Sequence, residues 1–240
     1  MSFVLHHLTI QFVFGISNII NNYKCSMNTN WIYLCSGSSD KTVCLWNVET
    51  SKLLKVFSDD ISIVYCLDVA PLQSKINNIS IIGGNGYTFC FGSQNNIIQI
   101  WDIEKSKLSR MLFGHKSWVM SVKYGSNELS NTILSGSEDK SMRLWDIREH
   151  KELQIFCGHT GLVNAVEYSA FSIKNDNIGN LNVICSASVD NTIRFWDVRS
   201  NKKELYMIKG DDKEDGGVSS IKSDINLYYG SCKGSIHIWG

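Results

Sequence analysis

The feature that most constrains this chain is a strand-like segment ending in tryptophan, which occurs five times. The segments end at Trp46, Trp101, Trp145, Trp196 and Trp239, roughly 50 residues apart. Six residues before each tryptophan, close after a Gly-Ser or Ala-Ser pair, stands a turn residue: Asp40, Asn95, Asp139, Asp190 and Lys233. A spacing that is kept five times indicates that one supersecondary unit is repeated along the chain.

Each unit has the residue pattern of β-structure. Apolar residues alternate with others before the tryptophan, as Val43 and Leu45 do, and a polar turn and a second apolar strand follow. The next unit then opens with the pattern V-x-x-V-x-[Y/V], so the sequence predicts four short antiparallel strands per unit and no helix. We place the repeats within a single domain, 1–240, at about 16–57, 60–113, 114–156, 158–208 and 214–240.

These residues resemble the WD40-repeat family. The Trp-Asp pair that names the family stands at 101–102, 145–146 and 196–197, and a Gly-His pair stands at 114–115 and 158–159. The resemblance covers nearly the whole chain. It implies an all-β fold, a β-propeller built from four-stranded antiparallel blades, with five blades in this chain.

The fifth unit reaches only its third strand, in the segment "GSIHIWG". Residues 8–14, "LTIQFVF", are similar to the strand that precedes Gly-His in other units, which favours a strand over a signal peptide. We therefore expect this N-terminal strand to close the last blade and remove an exposed edge. The alternative is that the chain is a fragment of a larger WD40 regulatory protein of about seven blades.

The resemblance also implies a hydrogen-bonded network in which a histidine, a serine and the turn aspartate support the tryptophan. A buried indole N–H needs a partner, and a set that recurs at equivalent places favours a folding device over a catalytic site. The second and fifth units lack this set, so we expect them to be the least stable blades. The residues assigned to the network are His115, Asp139, Trp145, His159, Asp190, Trp196, Asp40 and Trp46.

Candidate binding positions lie, by the same resemblance, on the face that carries the turn residues. Trp118 is the strongest candidate, because an aromatic residue on a loop-bearing rim is typical of an interaction hot spot. The alternative for Trp118 is packing against the adjacent blade. The positions are Ser39, Gln94, Glu138, Val189 and Cys232 before the turn residue, Ile63, Trp118 and Leu162 before the first strand, and Ile61, Lys116 and Thr160 two residues earlier. None is an arginine, which disfavours phosphate recognition.

Composition excludes several classes of function. The chain has 23 basic and 23 acidic residues, a balance that argues against binding to nucleic acid or to an anionic membrane. Its eight cysteines form no CxxC pair, and Cys35, Cys90 and Cys185 fall where the third repeat has Leu134. This pattern predicts buried, reduced thiols in an intracellular protein, cytoplasmic or else nuclear, without a metal or cofactor.

Three segments between the strands are expected to be solvated. Residues 71–87 and 170–182 are long insertions rich in Asn and Ile, and the acidic segment 210–217 is predicted to be a mobile loop at the rim.

The sequence thus predicts a non-catalytic protein–protein interaction scaffold, with other proteins as partners and membership of a multiprotein complex. The alternative is a small propeller that binds or hydrolyses a ligand such as a sugar, which needs carboxylates converging at the channel mouth. The available carboxylates, Asp60, Asp68 and Glu167, form no repeated or paired set in the sequence.

Overall fold

The computed structural model describes residues 20–28, 31–47, 49–70, 88–125, 129–169, 183–199, 204–211, 214–223 and 226–239. In these residues, nineteen strands form five antiparallel sheets, which confirms the all-β prediction. The predicted N-terminal strand at 8–14 and the two insertions at 71–87 and 170–182 lie outside the described residues and stay predictions.

Each sheet is a meander in which consecutive strands are neighbours. Sheet 1 comprises β1 (Ile20–Asn28), β2 (Trp31–Ser38), β3 (Val43–Asn47) and β4 (Lys52–Phe57). Sheet 2 comprises β5 (Val64–Val69), β6 (Thr88–Ser93), β7 (Ile97–Asp102) and β8 (Lys107–Phe113). Sheet 3 comprises β9 (Val119–Tyr124), β10 (Thr132–Ser137), β11 (Ser141–Asp146) and β12 (Lys151–Cys157). Sheet 4 comprises β13 (Val163–Tyr168), β14 (Val183–Ser188), β15 (Thr192–Asp197) and β16 (Glu204–Lys209), and sheet 5 comprises β17 (Val218–Ser223), β18 (Leu227–Ser231) and β19 (Ile236–Trp239).

The hairpin between the second and third strands has one geometry in all five sheets. Its last residue donates a backbone hydrogen bond to the carbonyl three residues earlier and has a positive φ, as Lys140 does at 67°. In sheet 3, Asp139 supports the turn by accepting hydrogen bonds from the amide and hydroxyl of Ser141. Sheet 5 has Lys233 at that position, and there Gly234 adopts the left-handed conformation (φ 94°), which glycine tolerates without strain. The turn thus survives the loss of its aspartate.

Neighbouring sheets pack face to face with their first strands side by side: β1 against β5, β5 against β9, β9 against β13 and β13 against β17. The core lies between the sheets. Met142 and Leu144 on the third strand of sheet 3 pack with Trp196 of sheet 4, and Ile98 and Ile100 of sheet 2 pack with Trp145 of sheet 3. Each sheet therefore covers the apolar face of the one before it, as blades of a β-propeller do.

The cysteines follow the predicted pattern. Cys35, Cys90 and Cys185 are buried at the position that Leu134 occupies in sheet 3. The cysteines whose side chains are described are free thiols: Cys35, Cys44, Cys66, Cys90, Cys157, Cys185 and Cys232. Burial raises the pKa of the Cys35 thiol to about 12, so it stays protonated and packs as a small apolar group.

The acidic segment at 210–217 differs from its prediction. Asp215 is buried, its Oδ2 accepts a hydrogen bond from the Asp211 amide at 2.8 Å, and its Oδ1 lies 2.8 Å from Nε2 of His237 on β19. The His237 ring in turn stacks on Tyr229 with centroids 4.7 Å apart. The expectation of a solvated segment is wrong at Asp215, whose side chain is buried and whose backbone carbonyl accepts the Lys233 amide of sheet 5 at 3.2 Å. The mobility of the segment stays a prediction.

Candidate functional site

The tryptophan of sheet 3 is held by a continuous chain of hydrogen bonds. The Trp145 indole Nε1–H donates to Ser135 Oγ at 2.8 Å, and Ser135 Oγ lies 2.7 Å from Nε2 of His115. Nδ1 of His115 lies 2.9 Å from Asp139 Oδ2, which also accepts the Lys116 amide at 2.8 Å. The chain ties the third strand of the sheet to the loop that leads into its first strand.

Sheet 4 repeats this arrangement with the same contacts. Trp196 Nε1–H donates to Ser186 Oγ at 3.0 Å, Ser186 Oγ lies 2.8 Å from Nε2 of His159, and Nδ1 of His159 lies 2.9 Å from Asp190 Oδ2. The Thr160 amide donates to the same carboxylate oxygen at 2.8 Å. Two sheets thus satisfy the same buried polar groups in the same way.

The charge states in the two networks are fixed by burial and hydrogen bonding. Burial lowers the pKa of His115 and of His159 more than the adjacent carboxylates raise it, so both rings are neutral at pH 7. For Asp190, burial acts to raise the pKa, but hydrogen bonds from Thr192 and the Thr160 amide outweigh it and hold the pKa at about 2. Each histidine therefore donates from Nδ1 to the carboxylate and accepts the serine hydroxyl at Nε2.

The connectivity Asp–His–Ser is also that of a hydrolytic triad, but access excludes that role here. Ser135 and Ser186 are fully buried, and each hydroxyl oxygen already accepts an indole N–H. A serine nucleophile must reach the substrate carbonyl with its oxygen lone pair. In both sheets the serine oxygen is therefore occupied and out of reach of a substrate.

The glycine of each Gly-His pair is explained by close packing in the same networks. A Cβ at Gly114 would lie 2.8 Å from both Arg143 Nη1 and the Trp145 ring, and a Cβ at Gly158 would lie 3.0 Å from the Trp196 ring. Real Cβ contacts are longer than these, so a larger residue would push the arginine and the indole out of place.

Sheet 2 satisfies its tryptophan by a different route. The Trp101 indole N–H donates to Oε1 of the buried Gln99 at 3.0 Å, and Nε2 of Gln99 donates to the Asp60 carbonyl at 3.1 Å. The glutamine amide thus does what the serine and histidine do in sheets 3 and 4. Sequence comparison missed this role, although an amide two residues before the tryptophan, on the same face of the strand, was a usable signal.

Sheet 1 has the simplest arrangement. The half-buried Trp46 donates its indole N–H to Ser36 Oγ at 3.0 Å. Among the described residues, the Asp40 carboxylate accepts hydrogen bonds from the amide and hydroxyl of Thr42 in its own turn.

The face that carries the hairpin turns brings two classes of predicted binding position together. In sheets 2, 3 and 4 the amide before the turn residue donates to the carbonyl before the first strand: Gln94 to Ile63 at 3.0 Å, Glu138 to Trp118 at 2.9 Å, and Val189 to Leu162 at 3.1 Å. We call the surface formed by these six residues the turn face.

The other predicted positions surround the turn face or lie beneath it. Ser39, Lys116, Thr160 and Cys232 are exposed. Ile61 is 6% exposed and belongs to the core between sheets 1 and 2. The prediction that Ile61 is a contact residue is wrong, because an apolar side chain at this position is more stable packed beneath the loop.

An aromatic pair lies at the centre of the turn face. Trp118 is 38% exposed and stacks on Tyr65 of sheet 2, with ring centroids 5.3 Å apart and an interplanar angle of 26°. Glu138 lies beside the pair and accepts a hydrogen bond from Ser117 Oγ at 2.5 Å. Burial and the charge of Glu138 raise the pKa of Tyr65, so its hydroxyl stays neutral. Trp118 thus both packs against the neighbouring sheet and presents ring surface to solvent.

A row of alternating charges crosses the first strands of three sheets. Asp68 of β5, Lys123 of β9 and Glu167 of β13 occupy one register, because their pairing partners Cys90, Leu134 and Cys185 are equivalent. Lys123 Nζ lies 3.1 Å from Glu167 Oε2, and Asp68 Oδ2 accepts the Tyr124 amide at 2.9 Å. Burial lowers the pKa of Lys123, but the charges of Glu167 and Asp68 outweigh it and raise the pKa.

This row corrects the view that the acidic residues form no set. Asp68 and Glu167 stand at equivalent repeat positions, but a lysine lies between them and pairs with Glu167. Asp60 lies elsewhere, exposed, in the loop before β5. A pair of carboxylates converging on one substrate, as glycoside hydrolysis needs, is not formed by these three residues.

The described residues contain no group of three or more His, Cys, Asp or Glu side chains arranged to bind a metal ion. In this part of the chain there is also no helix of the length and apolarity that crossing a bilayer requires.

Comparison with known proteins gives one family and several partial relatives. The family model for "WD domain, G-beta repeat" matches residues 12–47, 106–146 and 150–197. Transcription initiation factor TFIID subunit 5 of Caenorhabditis elegans is 28% identical over 92 residues, which are 38% of this chain and 12% of that protein. WD repeat-containing protein pop2 of Schizosaccharomyces pombe is 32% identical over 74 residues, 30% of this chain and 10% of that protein.

A guanine nucleotide-binding protein subunit beta of Zea mays is 30% identical over 92 residues, which are 38% of this chain and 22% of that subunit. The chain thus spans less than a quarter of the length of these relatives.

Proposed function

Because this chain belongs to the WD domain, G-beta repeat family, we propose that it is a non-catalytic scaffold that binds other proteins through its turn face. The observation that carries the proposal is the Tyr65–Trp118 pair, in which a stacked tryptophan remains 38% exposed. Tryptophan and tyrosine are enriched among the residues that dominate binding energy, because each buries a large apolar area with few rotatable bonds.

The backbone around the pair is already fixed before any partner binds. The Trp118 carbonyl accepts the Glu138 amide, and the Asp139 carboxylate holds the Lys116 amide two residues before Trp118. Ordering a loop on binding reduces affinity, so a loop that the His115 network already orders favours tight association. In this proposal the network serves function indirectly, by positioning the turn face.

The class of partner follows from charge and from the relatives. Equal numbers of acidic and basic residues favour a protein partner over nucleic acid or an anionic membrane. Two relatives are named as subunits, one of TFIID and one of a guanine nucleotide-binding protein, and we propose that this chain too works within a multiprotein complex. Free thiols in its core support an intracellular location, in the cytoplasm or the nucleus.

The absence of catalysis is supported by the state of the candidate groups. The serines of both Asp–His–Ser sets are buried under tryptophan, and the carboxylate of Glu167 is neutralised by Lys123. The sugar-hydrolase alternative has no specific observation in its favour.

The test is to compare partner capture by the wild-type chain and by Trp118→Ala, with quantitative mass spectrometry. Loss of a hot-spot side chain costs 2 kcal/mol or more, so partners that use the pair should bind roughly 30-fold more weakly. Phe113→Ala is the matched control, since Phe113 is an exposed aromatic residue on the outer strand β8.

Both variants should keep the wild-type melting temperature to within a few degrees, which shows that the fold is intact. Partners retained by Phe113→Ala and lost by Trp118→Ala support the proposal. An identical partner list for Trp118→Ala and wild type rules the turn-face pair out as the binding site.

A further inference from the structure

The fifth sheet has an apolar face that nothing in the described chain covers. Ile236 and Ile238 on β19 are 80% and 66% exposed. By register they match Met142 and Leu144, since Ile236 pairs with Gly230 as Met142 pairs with Gly136. Their counterparts in sheets 1 to 4 are at most 5% exposed: Val43, Leu45, Ile98, Ile100, Met142, Leu144, Ile193 and Phe195.

What covers the counterparts is always the next sheet. The tryptophan of sheet 4 packs on Met142 and Leu144, and the tryptophan of sheet 2 packs with Val43 and Leu45. We call the uncovered face of sheet 5 the fifth-sheet face (Tyr228, Ile236 and Ile238). Its residues occupy positions that a neighbouring sheet covers in sheets 1 to 4. Two large aliphatic side chains left in water at this position cost stability that a covering sheet would restore.

The row of alternating charges continues to the edge of this face. Lys222 of β17 pairs with Tyr228, and Lys24 of β1 pairs with Cys35, at the register where Lys123 pairs with Leu134. In chain order the first strands therefore carry Lys24, Asp68, Lys123, Glu167 and Lys222 at one level. Signs alternate at every step, and the row ends on a lysine beside the position where another first strand would stand.

We propose that the fifth-sheet face binds a further four-stranded blade of the same repeat type, whose first strand carries Asp or Glu beside Lys222 and whose tryptophan covers Ile236 and Ile238. The charge row selects this occupant. If sheet 1 of the same chain or of a second copy covered the face, the position of Lys24 would stand beside Lys222. Like charges on neighbouring strands are unfavourable, and more so as they lose water.

The sequence leaves two arrangements open: closure of the ring by residues 8–14, and a larger propeller. Binding of a further blade to the fifth-sheet face favours the larger propeller. An acidic blade after Lys222 also continues the alternation toward Lys24 on its other side. The face therefore specifies both the shape and the charge of what binds it.

The test extends the full chain after Gly240 with a copy of one of its own repeats. A copy of residues 146–197 begins just after the tryptophan of sheet 3, so it supplies a fourth strand for sheet 5 and then the first three strands of a blade, with Glu167 and Trp196. The matched control is a copy of residues 102–146, which brings Lys123 and Trp145 instead. Both copies contain a complete His–Ser–Asp–Trp network.

The measurements are the melting temperature and the fluorescence of a dye that binds exposed apolar surface. The unextended chain should bind the dye, with the signal lost in Ile236→Ser. The dye is read on the unextended chain alone, because the last strand of an added blade, which carries Ile193 and Phe195, presents a new apolar face. The acidic extension should melt about 2–4 °C above the lysine extension, a shift of the size that one charge pair gives. Changing Glu167 to Lys within the first copy should lower its melting temperature, and changing Lys123 to Glu within the second copy should raise it. Each of these comparisons is made within one repeat, so it does not depend on how well the two repeats fold relative to each other.

Three results would overturn the proposal. A monomeric unextended chain that binds no dye means that its own first sheet already covers the face. An unextended chain that sediments as a dimer, and dissociates when Ile236 is changed to serine, means that a second copy is the occupant. Equal melting temperatures for the acidic and lysine extensions mean that the charge row does not select a neighbour.

Discussion

Removing the hydroxyl of Ser135 should destabilise the protein more than its size suggests. This oxygen accepts the Trp145 indole N–H at 2.8 Å and donates to His115 Nε2, 2.7 Å away, in a fully buried position. Ser135→Ala leaves the Trp145 indole N–H and His115 Nε2 without a hydrogen-bond partner, in a position that water does not reach. Each buried unsatisfied group costs about 1–3 kcal/mol, so we expect a loss of about 3 kcal/mol in the free energy of unfolding.

The assay is thermal unfolding followed by circular dichroism at pH 7. For a domain of this size 1 kcal/mol shifts the melting temperature by about 2–4 °C, so Ser135→Ala should melt about 6–12 °C below wild type. Ser186→Ala should give a similar drop, because its contacts in sheet 4 are the same. Ser36→Ala is the control: its hydroxyl accepts the indole N–H of the half-buried Trp46 and no described histidine bonds to it, so one group is left unsatisfied instead of two and the loss should be about 1 kcal/mol.

A drop for Ser135→Ala no larger than that for Ser36→Ala would refute the reasoning. It would mean that the networks of sheets 3 and 4 are relaxed or hydrated, and that their recurrence needs another explanation.

Two further predictions concern the same buried groups. His115 and His159 have folded-state pKa values below the unfolded value of 6.5, so the unfolded chain binds more protons below that pH. The free energy of unfolding should therefore fall as pH drops below 7, with a slope of at most about 1.4 kcal/mol per pH unit for each histidine, and urea titrations of His115→Gln should show a shallower slope. Gln99→Leu should lower the free energy of unfolding by about 1–3 kcal/mol, because Trp101 loses its acceptor.

The strands and hairpins were predictable because their signals are local. Alternation of Val43 and Leu45 fixes which face of the strand is buried, and an aspartate six residues before the tryptophan fixes the turn, so neither depends on distant parts of the chain. Sheet 5 shows the limit of the rule, since its turn keeps the geometry through Gly234 after the aspartate is replaced by Lys233.

Contacts between sheets were harder to predict, since they depend on how two remote segments meet. The stacking of Tyr65 of sheet 2 on Trp118 of sheet 3 joins two residues 53 positions apart, and neither residue belongs to a pattern that is repeated in the other units. The row through Asp68 and Glu167 was readable in principle, because both residues stand just before the last residue of a first strand. The row of charged residues was missed because the repeats were aligned by their apolar positions alone.

The alternating row also restricts how such a chain can evolve. Deletion or duplication of a single repeat, for instance the one containing Lys123, would bring two carboxylates or two ammonium groups onto adjacent strands. Loss or gain of two consecutive repeats would leave every neighbour opposite in sign. Recombination among genes for chains of this kind should therefore add or remove repeats in pairs. The alternation of charge sets this restriction, although the repeats are otherwise interchangeable.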